Sequence, residues 1–538
     1  MPAEETSCGA KRWQSCLNCA RITIFTTLWV CSQNGCQDPQ DTHLTGNQAS
    51  TEAIRLATSG TNDDSGDRGH AGEVWEAIYI GGKKIGHIHT SSEMVNEDGV
   101  ALLVTRRITQ GSILRFEQTA QMEQELIEYS HDGELVRCSS EDQSGKSAIR
   151  VDAEVRRGQL VITSNSAGTS RVTELEWNAS IGGVFAVENS LRKQPMLSGE
   201  SRVLNLLLPG LSGFQIVKNE LTAEDYEAIE INGNNRRLLK INSVATISNN
   251  DLKSTIWVDE QGEIWRSELR SLQLVQIRTG RSDALMPEQQ ESFDLGIQSM
   301  VRVSRPLQDP HGSTRAVYRA ELSEHDPAQA FMSTPYQTIS SIDKRTAEIT
   351  VLSCRPGLSV RPLSSELKKP VVEDLAPGSL IQSDHPRVVA MARAVAPNES
   401  DTKNIALELE KLVHQSIQHK NYSQAFASAA EVAQSREGDC TEHAILLAAL
   451  CRVREIPARV TTGLVYAESL QAFAFHMWTE AWINEKWVGL DATLGLGGIG
   501  AAHLKLSDSN MAAGGELEAI LPVMKVIQQL KLEVVEFE

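Results

Sequence analysis

The chain has 538 residues, 41% hydrophobic and 22% charged, with a formal net charge of −19. That length exceeds what one hydrophobic core serves, so two or more domains are expected. The acidic balance, with no Lys/Arg cluster interleaved with aromatics to reverse it locally, excludes nucleic acid as a partner. The nine cysteines are not spaced as a disulfide framework, and the Cys16/Cys19 pair lacks a second pair at zinc-site spacing, so no metal or other cofactor is expected.

Residues 1–36 carry Lys11, Arg12 and Arg21 ahead of the apolar run Ile22 to Val30. That run is too short to span a bilayer and long enough for the apolar region of an export signal, the alternative being an unstructured leader. Export places the protein in the periplasm or cell envelope. Cys31 or Cys36 would be the site of a lipid anchor, although neither follows a small-residue cleavage pattern. Residues 37–71 are rich in Gln, Asp, Thr, Ser and Gly and read as a disordered linker. No later segment approaches the ~20 apolar residues of a membrane helix, so no transmembrane helix is expected.

From 72 to 305 short strand-like runs alternate with turn signals at Gly81-Gly82, Asp132-Gly133, Asn232-Gly233 and Asp259 to Gly262. This predicts a large antiparallel all-β domain. Its Trp75, Trp177, Trp257 and Trp265 read as core anchors, and nothing in it identifies a partner. A further β segment and a Pro-marked connector occupy 306–375. Beyond Ser383 the period becomes helical, with Val388, Met391, Ala392 and Val395 on one face and Ile405, Leu409, Leu412 and Ile417 on that of a second helix. Helices followed by strands over 376–510 predict an α+β unit, leaving 511–538 as a C-terminal extension.

The chemistry concentrates in that unit. In Arg436-Glu437-Gly438-Asp439-Cys440-Thr441-Glu442-His443, Asp439 is placed to cap a helix and Glu442 to reach back to it. Cys440 then falls in the first helical turn, where free N–H groups and the helix dipole favour the thiolate. Cys451, three turns further on, is expected to face the core. Phe473 to Ile483 alternates as a strand, with His476, Trp478, Glu480 and Trp482 on one face. A two-residue turn at Asn484-Glu485 would pair Trp478 with Asp491, leaving His476 diagonal to that carboxylate, and a turn one residue earlier would place the two opposite each other. His443 is expected to satisfy local backbone rather than react, and Trp478, Glu480 and Trp482 to shape the sheet face or the site wall.

A thiolate at a helix start, an imidazole on a nearby strand and a carboxylate fixing its tautomer form a unit for acyl transfer. The blocks G-D-C-T-E-H, H-M-W-T-E-A-W and W-V-G-L-D-A-T, with the step Ile456 to Val460 between the first two, resemble the motifs of bacterial transglutaminase-like domains over about 376–510. The resemblance implies a papain-like fold with Cys440 as nucleophile, His476 as base and Asp491 as orienting acid. No Trp lies between Trp265 and Trp478, so the oxyanion-stabilising Trp of animal transglutaminases has no counterpart. The Cys440 N–H is one expected donor, and Gln418, Asn421 or Tyr422 the other. No calcium loop is present.

Two functions follow. One is thiol-dependent acyl transfer to an amine, or hydrolysis, at an amide bond of a protein or peptide. The other is a non-catalytic envelope binding or scaffold protein whose transglutaminase-like fold is vestigial.

Overall fold

The computed structural model describes residues 72–538 apart from 116–117, 144–147, 249, 288–298, 357, 359–360, 365–367, 420, 422–425 and 513–514. The export signal and the linker expected over 1–71 lie outside the described residues.

A large all-β region is followed by a transglutaminase-like arrangement of helices and strands. The all-β region is built on one 15-stranded sheet made of two meanders, antiparallel except where Ile181–Gly182 pairs parallel with Ser201–Pro209 at one edge. The first runs from Glu73–Ile80 to Thr169–Glu176, and the second from Ile181–Gly182 to Leu274–Thr279. They are joined where the first and last strands pair, with Trp75 opposite Thr279 and Ile80 opposite Leu274. The turns lie where the sequence placed them. Gly81 and Gly82, Asp132 and Gly133, and Asn232 and Gly233 all have φ between 51° and 87°, the left-handed geometry that matches strand twist in two-residue hairpins. Trp177, Trp257 and Trp265 are buried. Trp75 is only partly so, and its ring stacks on His89 at 4.0 Å.

A second sheet runs in the order Val301–Arg302, Ala472–Ile483, Ala458–Ala467, His503–Ser509, with Lys486–Leu490 also paired to Ala472–Ile483. One face is covered by the helix Cys440–Val453, all but one of whose residues are buried. The helices Pro386–Ala394 and Thr402–Ser416 pack against that helix. Both lie where the helical period placed them.

A third sheet contains Gln337–Ser341, Thr346–Leu352, Arg315–Leu322 and Leu530–Phe537. The final strand returns across more than two hundred residues to pair Leu530 with Leu322 and Phe537 with Ala316. A C-terminal extension and a connector segment therefore form one sheet. Tyr318, fully buried at its centre, donates its hydroxyl to the Ala501 carbonyl at 3.0 Å, tying this sheet to the loop before His503. Among the described residues no helix is long and apolar enough to cross a membrane.

Because Leu530, Leu532 and Val534 are buried on this strand, deleting residues 530–538 would strip apolar contacts and one edge of hydrogen bonds from Arg315–Leu322. The thermal midpoint, followed by circular dichroism, is expected to fall by several degrees or more.

Candidate functional site

Gly438 has φ 150°, and a Cβ there would lie 2.4 Å from the Glu442 Cβ. Its bare backbone lets the Glu442 side chain fold back over the helix start. The reciprocal cap follows: Thr441 N–H donates to Asp439 Oδ1 at 2.8 Å, and Asp439 N–H to Glu442 Oε2 at 2.8 Å. Glu442 Oε1 also accepts the Ala427 N–H at 3.0 Å, anchoring the incoming loop. Complete burial, then the neighbouring Asp439 charge, pushes the Glu442 carboxyl well above its ordinary range. Cys440 thus occupies the first position of a doubly capped, buried helix. His443 Nδ1 bonds the Asp439 carbonyl at 2.5 Å, the local backbone role its position suggested. Cys451 is buried in the same helix, and desolvation pushes its thiol up to about 12.

Asn484 and Glu485 have φ of 50° and 59°, so the turn is the tight one at these two residues. The pairs Ile483/Lys486 through Thr479/Leu490 follow from it, carrying Asp491 to the position after Leu490. Thr479 faces the Cys440 helix, its hydroxyl donating to the Ala444 carbonyl at 2.9 Å. By alternation His476, Trp478 and Glu480 take the other face. Val301–Arg302 pairs with this strand only at Phe473 and Ala472, and Lys486–Leu490 only from Thr479 onward. Among the described residues, no strand covers that edge between Ala474 and Trp478, and His476 sits at the middle of the gap.

His476 and Asp491 meet directly, with Nε2 at 2.7 Å from Oδ2. The same oxygen meets His503 Nε2 at 3.1 Å, while Oδ1 accepts the N–H groups of Thr493 at 3.0 Å and Leu494 at 3.3 Å. Burial opposes the charge on Asp491, but the two histidines, His476 foremost, hold its carboxyl well below the usual range. An ionised acceptor requires both Nε2 atoms to carry hydrogen, and in a neutral ring that leaves Nδ1 with a lone pair. Burial lowers the His503 pKa despite its bond to Asp491, so this ring stays neutral. His476 Nε2, Asp491 Oδ2 and His503 Nε2 also form the single His/Cys/Asp/Glu group among the described residues with donor atoms close enough to share an ion.

The loop after Asp491 is clamped from the helix Thr402–Ser416. Glu410 Oε1 accepts the N–H groups of Asp491 at 3.1 Å and Gly498 at 3.4 Å. One turn on, His414 Nδ1 bonds the Ala492 carbonyl at 3.0 Å. A Cβ on Gly495, where φ is 64°, would meet the His414 ring at 2.4 Å, so this approach requires glycine. Burial, reinforced by the Asp491 charge and opposed by the Gly498 N–H, pushes the Glu410 carboxyl up to about 7.

Of the residues singled out in the sequence, the structure brings His476 and Asp491 into contact and places Cys440 on the helix that packs against the strand of His476. Trp478 stacks beside His476, and Glu480 is consumed in buried ion pairs with Arg459 at 2.6 Å and Lys505 at 2.7 Å. Gln418 is exposed and its N–H donates to the Arg436 carbonyl at 3.2 Å. Asn421 is partly buried, and Tyr422 lies outside the described residues. His503, Glu410 and His414 were not anticipated. The one signal for His503 was a polar residue at alternate positions of an otherwise apolar strand, His503-Leu504-Lys505-Leu506-Ser507.

Residues 389–492 match the Transglutaminase-like superfamily model, so the chain contains a transglutaminase-like domain. No curated protein matches the chain. Among solved structures, a candidate cysteine protease from Cytophaga hutchinsonii is similar at 17% identity, over 42% of this chain and 89% of that one, with a TM-score of 0.28. A β-barrel-like protein of a domain of unknown function from Brucella abortus is similar at 11% identity, over 38% and 95%, TM-score 0.28. The periplasmic domain of TgpA from Pseudomonas aeruginosa, bound to ethylmercury, is similar at 15% identity, over 34% and 91%, TM-score 0.20.

Glu410 binds its proton more tightly in the folded chain than in the unfolded one. Its contribution to stability is therefore greatest at low pH, falls as pH rises from roughly 4.3 towards about 7, and levels off above. Glu410→Gln keeps an oxygen acceptor for the loop and removes the titration. Urea midpoints should show the variant at least as stable as the parent above neutrality, with the difference shrinking as pH falls towards the ordinary carboxylate range.

Proposed function

We propose that the transglutaminase-like domain acts on amide bonds of a protein or peptide through Cys440 as nucleophile, His476 as base and acid, and Asp491 as the group that fixes the ring. The observation carrying this reading is the 2.7 Å His476 Nε2 to Asp491 Oδ2 contact with an ionised carboxylate. It commits Nε2 to the acid and leaves Nδ1 as the basic nitrogen. Cys440 is one helical turn, ~6 Å of rise, from the Ala444 contact with Thr479, and His476 is three strand residues, ~10 Å, from the same contact. The helix that begins at Cys440 and the strand that carries His476 therefore meet at the Ala444–Thr479 hydrogen bond.

In the reaction His476 Nδ1 takes the Cys440 proton and the thiolate attacks the amide carbonyl carbon, forming the C–S bond as the carbonyl electrons move to oxygen. Collapse breaks the C–N bond, and the proton on Nδ1 leaves with the departing amine. Water or a primary amine then attacks the thioester, returns its proton through Nδ1 and frees the thiol, giving an acid or a new amide. The helix N-terminus favours the thiolate and offers the Cys440 N–H to the developing oxyanion. Export to the periplasm or envelope is read from the first 36 residues alone.

All four described cysteines are buried, so the expected contrast rests on the helix-start thiolate: iodoacetamide at neutral pH labels Cys440 in the native protein, with Cys138, Cys354 and Cys451 labelled only on denaturation. Native labelling that needs denaturation at Cys440 as well would favour the scaffold reading. Cys440→Ser should abolish both labelling and turnover of a glutamine-containing peptide, whereas Cys451→Ser should affect stability only. Release of ammonia without an added amine marks hydrolysis, and an amine adduct marks transfer.

Asp491→Asn should lower turnover less than Cys440→Ser does, and less than the about 10⁴-fold loss in a serine triad, because a thiol/imidazole pair can ionise before substrate arrives. Full activity in Asp491→Asn would reduce the catalytic unit to Cys440 and His476.

A further inference from the structure

Beside His503 a cavity of about 100 Å³ lies between the second sheet and the segment that begins the third. Its walls include Tyr336, Leu352, Trp478 and Ile499, and it also touches Arg459, Glu480, Lys505 and Asp508. Ser333 and Lys368, both exposed, mark where it reaches solvent.

The four charges answer one another completely. Arg459 pairs with Glu480 at 2.6 Å and Asp508 at 3.1 Å, and Lys505 with Glu480 and Asp508 at 2.7 Å each. Two cations and two anions leave no net charge in the buried part of the cavity, the remaining cation, Lys368, standing exposed at its mouth, so an ionic group entering the interior would be buried without a match. Two other polar atoms, on residues that line the cavity, are unanswered. Trp478 Nε1 and His503 Nδ1 are buried and have no hydrogen-bond partner, although each side chain is only about 1% exposed. The indole is a donor. Because His503 Nε2 gives its hydrogen to Asp491, Nδ1 is an acceptor. One donor and one acceptor beside apolar walls complement an amide attached to an apolar body.

We propose that this cavity binds a neutral, apolar side chain of the peptide substrate together with an adjoining backbone amide, whose C=O takes the Trp478 N–H and whose N–H is taken by His503 Nδ1. The assignment rests on the amide-directed reading above. It makes Trp478 and His503 specificity residues, and places them next to the reacting groups, since Trp478 stacks on His476 with ring centroids 6.3 Å apart and His503 shares Asp491 Oδ2 with it.

The test is binding of blocked amino-acid amides to the full chain carrying 5-fluorotryptophan, read by fluorine NMR, with the Trp478 signal assigned through Trp478→Phe. N-acetyl-leucinamide and N-acetyl-methioninamide should shift the Trp478 signal saturably, and N-acetyl-lysinamide and N-acetyl-aspartamide should bind about tenfold more weakly or worse, as burial of an unpaired charge requires. Leu352→Trp should remove the shift by filling the cavity, and Tyr336→Ala, at a partly exposed wall position, should weaken it if the larger substitution disturbs folding. Peptides bearing Leu or Met beside the cleaved amide should also be turned over faster than those bearing Lys or Asp. The absence of a saturable shift, equal binding of leucine and lysine amides, or turnover indifferent to these side chains would overturn the proposal. The binding measurement is repeated in Cys440→Ala, which cannot react, so an inert thiol and an absent pocket give different results.

Discussion

A single buried anion organises the site. The Asp491 carboxylate lies out of contact with water and would be costly to ionise alone, yet Oδ2 meets two imidazoles and Oδ1 two loop N–H groups. Those bonds hold the charge in place, and the charge fixes the hydrogen on each histidine. Nearby structure is constrained accordingly. The tight turn at Asn484-Glu485 sets the register that delivers Asp491 to the end of its strand, and Gly495 allows the following loop to close onto His414.

A second carboxyl buried beside an acid is disfavoured in its charged form, and the fold meets this twice, once beside Asp491 and once beside Asp439. Glu410 accepts the Asp491 N–H and is pushed up to about 7, while Glu442 accepts the Asp439 N–H and is pushed well above its ordinary range. In each case the longer acid serves as an acceptor for backbone at the base of a segment that carries a candidate site residue, without adding a second full charge to it. A protonated carboxyl tolerates burial as a charged one does not, so both segments can be anchored in a dry interior.

Much of this was legible locally. The hairpin turns, the two helices after Ser383, the cap at Asp439 and Glu442 and the 484–485 turn each depend on residues within a few positions of one another, where propensity and pattern speak directly. What was not legible depends on distant register. Nothing near His503 or Glu410 says that they converge on Asp491, because that requires knowing which strand lies beside Ala458–Ala467 and which helix passes under the 491–498 loop. The pairing of Leu530–Phe537 with Arg315–Leu322 is hidden for the same reason. Trp75 shows the converse limit: a strand aromatic reads as core, whereas its place beside half-buried His89 and exposed Arg281 is a property of the finished surface.

The ion cluster of Arg459, Glu480, Lys505 and Asp508 bears on this problem of register. Buried ion pairs add little net stability over apolar packing, but a misplaced member is heavily penalised. Arg459 and Glu480 are direct cross-strand partners, and Lys505 and Asp508 come from the strand on the other side of Arg459. A slip of one residue in His503–Ser509 would turn Lys505 and Asp508 to the opposite face, leaving Glu480 without Lys505 and Arg459 without Asp508. The same slip would carry His503 away from Asp491. The cluster therefore penalises the wrong alignment of the strand that supplies the second histidine, and the precision of the Asp491 site is enforced by charges two residues further along that strand.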